Sequence, residues 1–231
     1  MRALLRAWSL GARAYQRGVD RRTPPREELV RRFAPGRTFA DIGCMWQVEG
    51  AIAFLAEQSG ARAVTGLDYM DPTDRFQEQI AGGSKVRFVQ GDLHDPETVA
   101  EVGPHDVVWC WGVLYHSPHP MLILERLRSI TREFLILGTA TLPPVPGLSQ
   151  ACLFFPGLSD RDRNAHAAAW PGRRGRFGLS TPFVPSYNYG NWWWGITPSA
   201  LAAMLEAAGF SVLEQSGGPL RQTAVAMPVA E

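Results

Sequence analysis

The chain has 231 residues, 45% of them hydrophobic and 19% charged, and its 23 basic and 22 acidic side chains give a formal net charge of +1. These values predict one globular domain over residues 1–231 whose core needs no disulfide bonds, and they exclude collagen-like and disordered chains. The near-neutral charge argues against a nucleic-acid partner, and the longest apolar runs are far shorter than the ~20 residues that cross a membrane. We therefore expect a cytoplasmic monomer or homodimer.

Residues 1–36 are rich in arginine and predict a helical cap. Up to Gly18, arginines recur on one helical face and apolar residues on the opposite face, which is typical of an amphipathic helix. Such a helix can pack on the domain, cover a ligand pocket as a lid or lie on a membrane surface. The same arginines interrupt the apolar segment that a secretory signal requires. Pro24 and Pro25 precede a second short helix, from about 26 to 33.

Residues 37–141 alternate short apolar segments with helical ones, which predicts an α/β fold: a Rossmann-like, mostly parallel sheet with helices on both faces. The predicted strands are 37–42, 62–67, 85–90, 106–111 and 133–138. The predicted helices are about 48–59, 73–81, 95–102 and 120–131. Ligands of such sheets bind at the carboxyl ends of the strands, so the residues that end each strand are candidates for the functional site.

Residues 142–195 break this rhythm with many prolines, glycines and aromatic residues, and we expect this insertion to cover the substrate. Residues 196–231 then close the domain. They predict a helix from 198 to 208 and two strands, 210–215 and 221–227, that form an antiparallel hairpin at the edge of the sheet.

The three cysteines, Cys44, Cys110 and Cys152, show no C-x-x-C spacing. An odd, scattered set argues against a disulfide framework and against a zinc site. We expect free thiols that pack as small apolar side chains, and no metal.

Acidic residues end the first three predicted strands. Asp41 is followed by Gly43, which lets the backbone approach a ligand closely. Asp68 ends the second strand, where a carboxylate can accept hydrogen bonds from both hydroxyls of a ribose, and the ring of Tyr69 can lie against a base. Asp92 follows the third strand and is placed to accept a hydrogen bond from an exocyclic amine.

These strand ends give the sequence from about 39 to 227 a resemblance to the class I S-adenosylmethionine-dependent methyltransferase family. Four pieces carry it: DIGC at 41–44, Asp68, GD at 91–92 and GVLYH at 112–116. The resemblance implies S-adenosyl-L-methionine as the cofactor. The residues that it assigns to the cofactor are Asp41, Gly43, Cys44, Met45, Asp68, Tyr69, Asp92, Leu93 and Trp111.

Within that set the resemblance implies different contacts. Asp41 and Gly43 approach the methionine end of the cofactor, Asp68 holds the ribose, and Asp92 with Leu93 brackets the adenine. The sequence departs from the family pattern after DIGC, where Met45 and Gln47 replace the usual glycines. A bulkier or longer loop follows the first strand.

Other functions stay open beside methyl transfer. A nicotinamide-dependent dehydrogenase would carry G-x-G-x-x-G after the first strand, and this sequence lacks it. An enzyme that cyclises S-adenosylmethionine and releases methylthioadenosine keeps the same cofactor site. A non-catalytic subunit is also compatible with the altered glycine loop.

Two further segments narrow the resemblance. GVLYH and the stretch from Asn191 to Phe210 resemble a subgroup that includes tRNA wobble-uridine carboxymethyl-transfer enzymes and related methyltransferases acting on sugars, lipids or secondary metabolites. The near-neutral charge favours a small molecule. Arg173, Arg174 and Arg176 form a small basic cluster that is either solvated or binds a substrate phosphate or carboxylate.

The acceptor side of the predicted site lies after the fourth strand and before the last helix. His116 and Tyr187 are the candidate catalytic residues, because each can take a proton from the acceptor, although His116 can also simply shape its loop. His119 is expected to be exposed. The candidate substrate-binding residues are Tyr115, Asn188, Tyr189, Asn191, Trp192 and Trp193. Adjacent tryptophans cannot all face one way, so we expect at least one of Trp192–Trp194 to belong to the core.

Overall fold

The structure is a computed structural model that describes residues 23–145, 147–148, 150–162, 182–218 and 220–230. Two sequence predictions lie outside these residues: the helix before Gly18 and the basic cluster of Arg173, Arg174 and Arg176.

The described residues form nine strands, and seven of them make one sheet. The strands are β1 (Thr38–Ile42), β2 (Ala63–Asp68), β3 (Arg87–Gln90), β4 (His105–Trp111), β5 (Thr131–Ala140), β6 (Cys152–Phe154), β7 (Trp194–Ile196), β8 (Phe210–Gly218) and β9 (Arg221–Pro228). The order in the large sheet is β3-β2-β1-β4-β5-β9-β8. Strands β1 to β5 are parallel, whereas β9 runs antiparallel to β5 and β8. The predicted Rossmann-like sheet with an edge hairpin is thus confirmed.

Six α-helices connect these strands in the described parts of the chain. They are α1 (Arg26–Phe33), α2 (Ala51–Gln58), α3 (Asp74–Ala81), α4 (Pro96–Val102), α5 (Pro120–Ile130) and α6 (Pro198–Ala207). Side-chain caps start three of them: the oxygens of Thr73, Asp95 and Thr197 accept hydrogen bonds from backbone N–H groups of the first turn. None of the helices in the described ranges is long and apolar enough to cross a membrane.

One predicted helix begins later than expected. Helix α2 starts at Ala51, three residues after the predicted start, because the loop before it takes up left-handed backbone angles. The φ angles are 59° at Gln47, 49° at Glu49 and 78° at Gly50. Left-handed residues cannot continue a right-handed helix. The loop closes instead with the N–H of Gly50 donating to the Cys44 carbonyl at 2.7 Å.

The sheet carries an apolar cluster on each face. Helices α1, α2 and α3 pack on one face, against buried side chains of four strands: Phe39, Val64, Trp109 and Ile136. Helices α4, α5 and α6 pack on the other face, against Ile42, Val108, Leu135 and Ala226. Side chains alternate between the two faces along each strand, so the register of one buried residue fixes the direction of its neighbours.

The insertion contains structure that the sequence did not predict. Strands β6 and β7 pair antiparallel, with Cys152 opposite Ile196 and Phe154 opposite Trp194. A third apolar cluster forms beside them around Ala140, Phe155 and Trp192. Trp192 is 6% exposed, which confirms that one of the three adjacent tryptophans belongs to the core.

Candidate active site

Three carboxylates lie at the ends of neighbouring parallel strands. Asp41 is the last but one residue of β1, Asp68 ends β2, and Asp92 follows β3. The register of β1 with β2 and of β2 with β3 brings these ends to one edge of the sheet. This edge is where ligands bind on such sheets, and it is where the sequence placed the cofactor.

Asp68 is buried and holds the backbone around it. Its Oδ2 accepts a hydrogen bond from the N–H of Met45 at 2.7 Å, and its Oδ1 accepts one from the N–H of Met70 at 3.0 Å. The carboxylate therefore joins the loop after β1 to the loop after β2. Each oxygen keeps a further lone pair that can accept a ligand hydroxyl.

Asp41 is 2% exposed, and its Oδ2 accepts a hydrogen bond from the N–H of Ala53 at 3.1 Å. Burial, followed by the nearby charge of Asp68, raises the pKa of Asp41 to about 7. Among the described residues no cation lies within ion-pair distance of it. A buried carboxylate of this kind is costly to ionise, and a cationic ligand would repay that cost.

The glycine of DIGC marks a close approach between two loops. Gly43 has a φ of 79°, and a Cβ there would lie 2.6 Å from Cγ2 of Val113. Only glycine tolerates both conditions. The next two residues turn away from this edge, because Cys44 and Met45 are 0% and 1% exposed and pack under α1 and α2. Of the predicted cofactor residues, these two contribute core packing and the Met45 N–H. Cys44 and Cys110 are the buried free thiols that the sequence predicts, whereas Cys152 is exposed.

Asp92 stands in a hydrogen-bonded cluster. Its Oδ1 accepts a hydrogen bond from the backbone N–H of His94 at 2.9 Å. The same oxygen lies 2.7 Å from the ring nitrogen Nδ1 of His94. His94 Nε2 lies 2.8 Å from Oγ of Ser117 in the loop after β4. Burial opposes ionisation of Asp92, but a hydrogen bond from the Tyr189 hydroxyl and then the bonds from His94 lower its pKa. His94 was not among the residues predicted from the sequence, although its place two residues after Asp92 was a usable signal.

The adenine end of the predicted site contains aromatic side chains. Tyr69 is 51% exposed, and Leu93 is buried. Tyr189 of the insertion lies between the loops after β2 and β3. Its ring meets the edge of Tyr69 at 5.3 Å between centroids and stacks on His94 at 5.6 Å, and its hydroxyl donates to Asp92.

The loop after β4 brings His116 beside the insertion. Its Nδ1 lies 2.7 Å from the backbone carbonyl of Asn191. A carbonyl only accepts, so Nδ1 carries the proton and Nε2 is the basic nitrogen. Burial lowers the pKa of His116 below its ordinary 6.5, which keeps the ring neutral at pH 7. His119 is exposed, as predicted.

The remaining predicted substrate residues fall into two groups. Tyr115 and Trp192 pack together at 4.5 Å between ring centroids beside His116. Asn188, Asn191 and Trp193 hold the insertion loop in shape. The side-chain amide of Asn191 accepts a hydrogen bond from the backbone N–H of Val184 and donates one to the Val184 carbonyl. The Nε1 of Trp193 donates to the Asn188 carbonyl.

Tyr187, the second candidate base, is 65% exposed, and its backbone N–H donates to the Val184 carbonyl. The structure does not bring it to His116. Its catalytic role stays a prediction.

Trp111 lies flat at the carboxyl end of β4. A Cβ on Gly138 of the neighbouring strand β5 would lie 2.1 Å from Cδ2 of the indole, so glycine is required for the ring to occupy this place. The guanidinium carbon of Arg26 lies 4.2 Å from the ring centroid. Arg26 was not among the residues predicted from the sequence, because it lies 85 residues before Trp111.

Comparisons with known proteins agree with this fold. Residues 40–133 match the model of a methyltransferase domain family. Over 99 residues the chain is 27% identical to a ubiquinone biosynthesis O-methyltransferase of Vibrio campbellii, a match that spans 42% of this chain and 40% of that protein.

Solved structures share the fold. A 1,6-didemethyltoxoflavin-N1-methyltransferase of Burkholderia thailandensis with bound S-adenosylhomocysteine superposes with a TM-score of 0.56 and 15% identity, over 99% of this chain and 89% of that one. A magnesium protoporphyrin IX methyltransferase of Synechocystis PCC 6803 superposes with a TM-score of 0.53 and 19% identity, over 92% of this chain and 83% of that one.

The chain therefore has the Rossmann-like methyltransferase fold, as the sequence predicts. The match to the methyltransferase domain model covers residues 40–133, which include Asp41, Asp68 and Asp92.

Proposed function

We propose that this chain is an S-adenosylmethionine-dependent methyltransferase that acts on an oxygen or nitrogen atom of a small molecule. The observation that carries the proposal is Asp41: a buried carboxylate with a raised pKa that forms no ion pair in the described structure, next to Asp68 and Asp92 at the ligand-binding edge of the sheet. A ligand with positive charges, hydroxyls and an exocyclic amine matches these three acceptors.

The residues that would hold the cofactor follow from their chemistry. Asp41 would attract the positively charged part of the cofactor. The remaining lone pairs of Asp68 would accept hydrogen bonds from the ribose hydroxyls, and Asp92 would accept one from the adenine amine. Gly43 leaves room for close approach of the backbone. When bound, the cofactor supplies an electrophilic methyl group on a positively charged sulfur.

On the acceptor side the chain provides a base and an enclosing wall. His116 Nε2 is neutral and can take the acceptor proton as the acceptor atom attacks the methyl group. Burial raises the pKa of Tyr115 to about 12, so its hydroxyl remains protonated and acts as a hydrogen-bond donor. Trp192 and Phe155 pack behind it, 5.7 Å apart, and exclude water.

A small molecule fits better than tRNA. The narrower resemblance to wobble-uridine enzymes depends on GVLYH and the segment after Asn191, and a formal net charge of +1 offers little attraction to a phosphate backbone. The relatives above are, by their names, an O-methyltransferase of ubiquinone biosynthesis, an N1-methyltransferase of 1,6-didemethyltoxoflavin and a methyltransferase of magnesium protoporphyrin IX. These names favour secondary metabolites and other small acceptors.

The purified chain incubated with methyl-labelled S-adenosylmethionine tests the proposal. A panel of phenols, carboxylic acids and amines is offered, and products are identified by mass spectrometry. Label on an acceptor supports methyl transfer. Methylthioadenosine formed without any acceptor would show that the enzyme turns the cofactor on itself, and absence of both cofactor binding and turnover would point to a non-catalytic subunit.

A further inference from the structure

Two arginines from distant parts of the sequence lie at the carboxyl end of the sheet, close enough for the charge of Arg221 to act on Arg26. Arg26 begins α1, and its guanidinium lies over the ring of Trp111 at 4.2 Å. Arg221 begins β9, directly opposite Ala140 at the end of β5. The sequence separates these arginines by 195 residues, so only the fold reveals them as neighbours.

Strand register places Arg221 on the face of the sheet that is covered by α1, the helix that Arg26 begins. Trp109, Ile136 and Val225 are buried under α1 on β4, β5 and β9. Because side chains alternate, Trp111 and Arg221 point to the face of Trp109 and Val225. Gly138, between them on β5, has no side chain to separate them. Arg26 covers this same face from above.

The charge on Arg26 is poorly compensated by the protein. Its side chain is partly buried, and it forms no ion pair with any residue that the structure describes. Burial and then the charge of Arg221 lower the pKa of Arg26, against weaker opposing effects of Glu27, Tyr115 and Asp41. A partly buried cation next to a like charge is stabilised by a bound anion.

The ligand edge is thus divided by charge. Its carboxylates belong to β1, β2 and the loop after β3, whereas the two arginines lie over β4, β5 and β9. We propose that Arg26 and Arg221 form a carboxylate-binding site beside Trp111, which selects acceptors that carry a carboxylate. This inference rests on the proposed methyltransferase function, because it assigns the arginine half of the edge to the acceptor.

The position of the site favours the acceptor over the amino-acid end of the cofactor as the source of the carboxylate. Arg26 lies over Trp111 at the end of β4, and Arg221 is opposite Ala140 at the end of β5, although Arg26 is also close enough to Asp41 for the two charges to act on each other. Tyr115, whose hydroxyl lies near Gly112, is close enough to Arg26 for the guanidinium charge to act on its pKa. His116 is the next residue, so an acceptor anchored by the arginines extends toward the base.

Benzoate and benzamide, which have the same shape and differ in charge, test the site. Their binding is followed by the NMR signals of the tryptophan indoles at constant ionic strength, with and without saturating S-adenosylhomocysteine. We expect benzoate to bind at least about tenfold more tightly than benzamide. Arg26→Gln and Arg221→Gln should each remove that preference. Arg32→Gln should leave it intact, since Arg32 lies on the same helix but forms an exposed ion pair with Glu214.

Three results would overturn the inference. Benzoate and benzamide could bind equally to the unaltered chain, or the preference could persist in Arg26→Gln. Alternatively, Arg26→Gln could weaken S-adenosylhomocysteine but not methylthioadenosine, which lacks the carboxylate, and leave the benzoate preference unchanged. That third result would assign the arginines to the cofactor. Thermal unfolding of each variant, and Arg26→Lys with its charge retained, separate loss of the site from loss of the fold. Failure of S-adenosylhomocysteine to bind would instead count against the proposed function alone.

Discussion

The hydroxyl of Tyr189 donates a hydrogen bond to Oδ2 of Asp92, across 97 residues of sequence. The same hydroxyl lies 2.8 Å from His94 Nδ1. The ring of Tyr189 thus lies between Tyr69 and His94. Its hydroxyl is hydrogen-bonded to Asp92, the carboxylate that the family resemblance assigns to the adenine amine. If Asp92 accepts the adenine amine, as proposed above, the adenine and the Tyr189 hydroxyl compete for the same carboxylate.

Removing this contact should tighten cofactor binding. Tyr189→Phe deletes the hydroxyl that engages Asp92, and a hydrogen bond to a charged group is worth about 1.5 kcal/mol, so the Kd for S-adenosylhomocysteine should fall by about tenfold. Tyr187→Phe serves as the control, because Tyr187 is exposed. Calorimetric titration measures both, and weaker binding by Tyr189→Phe would mean that Tyr189 assists the cofactor.

Asp41 should make stability fall as pH rises. Its folded-state pKa of about 7 is above its ordinary 3.8, so between these values the folded chain holds a proton that the unfolded chain has lost. The free energy of unfolding then decreases with pH through this window, by at most about 1.4 kcal/mol per unit. Urea unfolding at pH 5 and pH 8 should show this loss in the unaltered chain and not in Asp41→Asn.

Asp106 provides the matched control for that experiment. Bonds from Thr38 and the charges of Arg62 and Arg132 outweigh burial and lower the pKa of Asp106. The ionised Asp106 carboxylate contributes its full stabilisation to the folded state above its ordinary pKa, and this stabilisation is lost only in acid. Asp106→Asn should therefore shift stability by a constant amount between pH 5 and pH 8, and a slope equal to that of Asp41→Asn would contradict the assignment.

Gly138→Ala should disturb both the fold and the arginine site. The added Cβ would overlap the indole of Trp111, and such overpacking lowers the free energy of unfolding by about 1–3 kcal/mol. Gly157→Ala is the comparison, because its Cβ would make an ordinary contact at 3.5 Å with Phe154. Chemical denaturation followed by tryptophan fluorescence distinguishes the two, and equal stability would show that Trp111 moves aside freely.

His116 should control the acidic side of the pH profile. Its neutral ring accepts a proton only while the pH stays above its lowered pKa, so kcat should fall in acid. His116→Gln should reduce kcat by about a hundredfold or more and remove this pH dependence. His119→Gln, at an exposed position, should change neither. A His116→Gln enzyme with an unchanged pH profile would leave His116 a structural role.

The sequence predicted the elements and the acids of this protein, but not its long-range pairs. Proline before α1 and the acids that end β1 and β2 are local signals, and the structure confirms their elements. The left-handed angles of Gln47 and Glu49 were hidden, because ordinary residues occupy them. Contacts such as Tyr189 with Asp92, or Arg26 with Trp111, depend on strand register and on the course of the insertion, which no local pattern specifies.

Cofactor binding by Asp68 tests the central claim most directly. Asp68 both joins the loops after β1 and β2 and carries the lone pairs proposed for the ribose. Calorimetric titration with S-adenosylmethionine should show binding by the unaltered chain, loss of most of that affinity in Asp68→Ala, and no change in Asp160→Ala, an exposed control. Absence of detectable binding by the unaltered chain at millimolar cofactor would contradict the account.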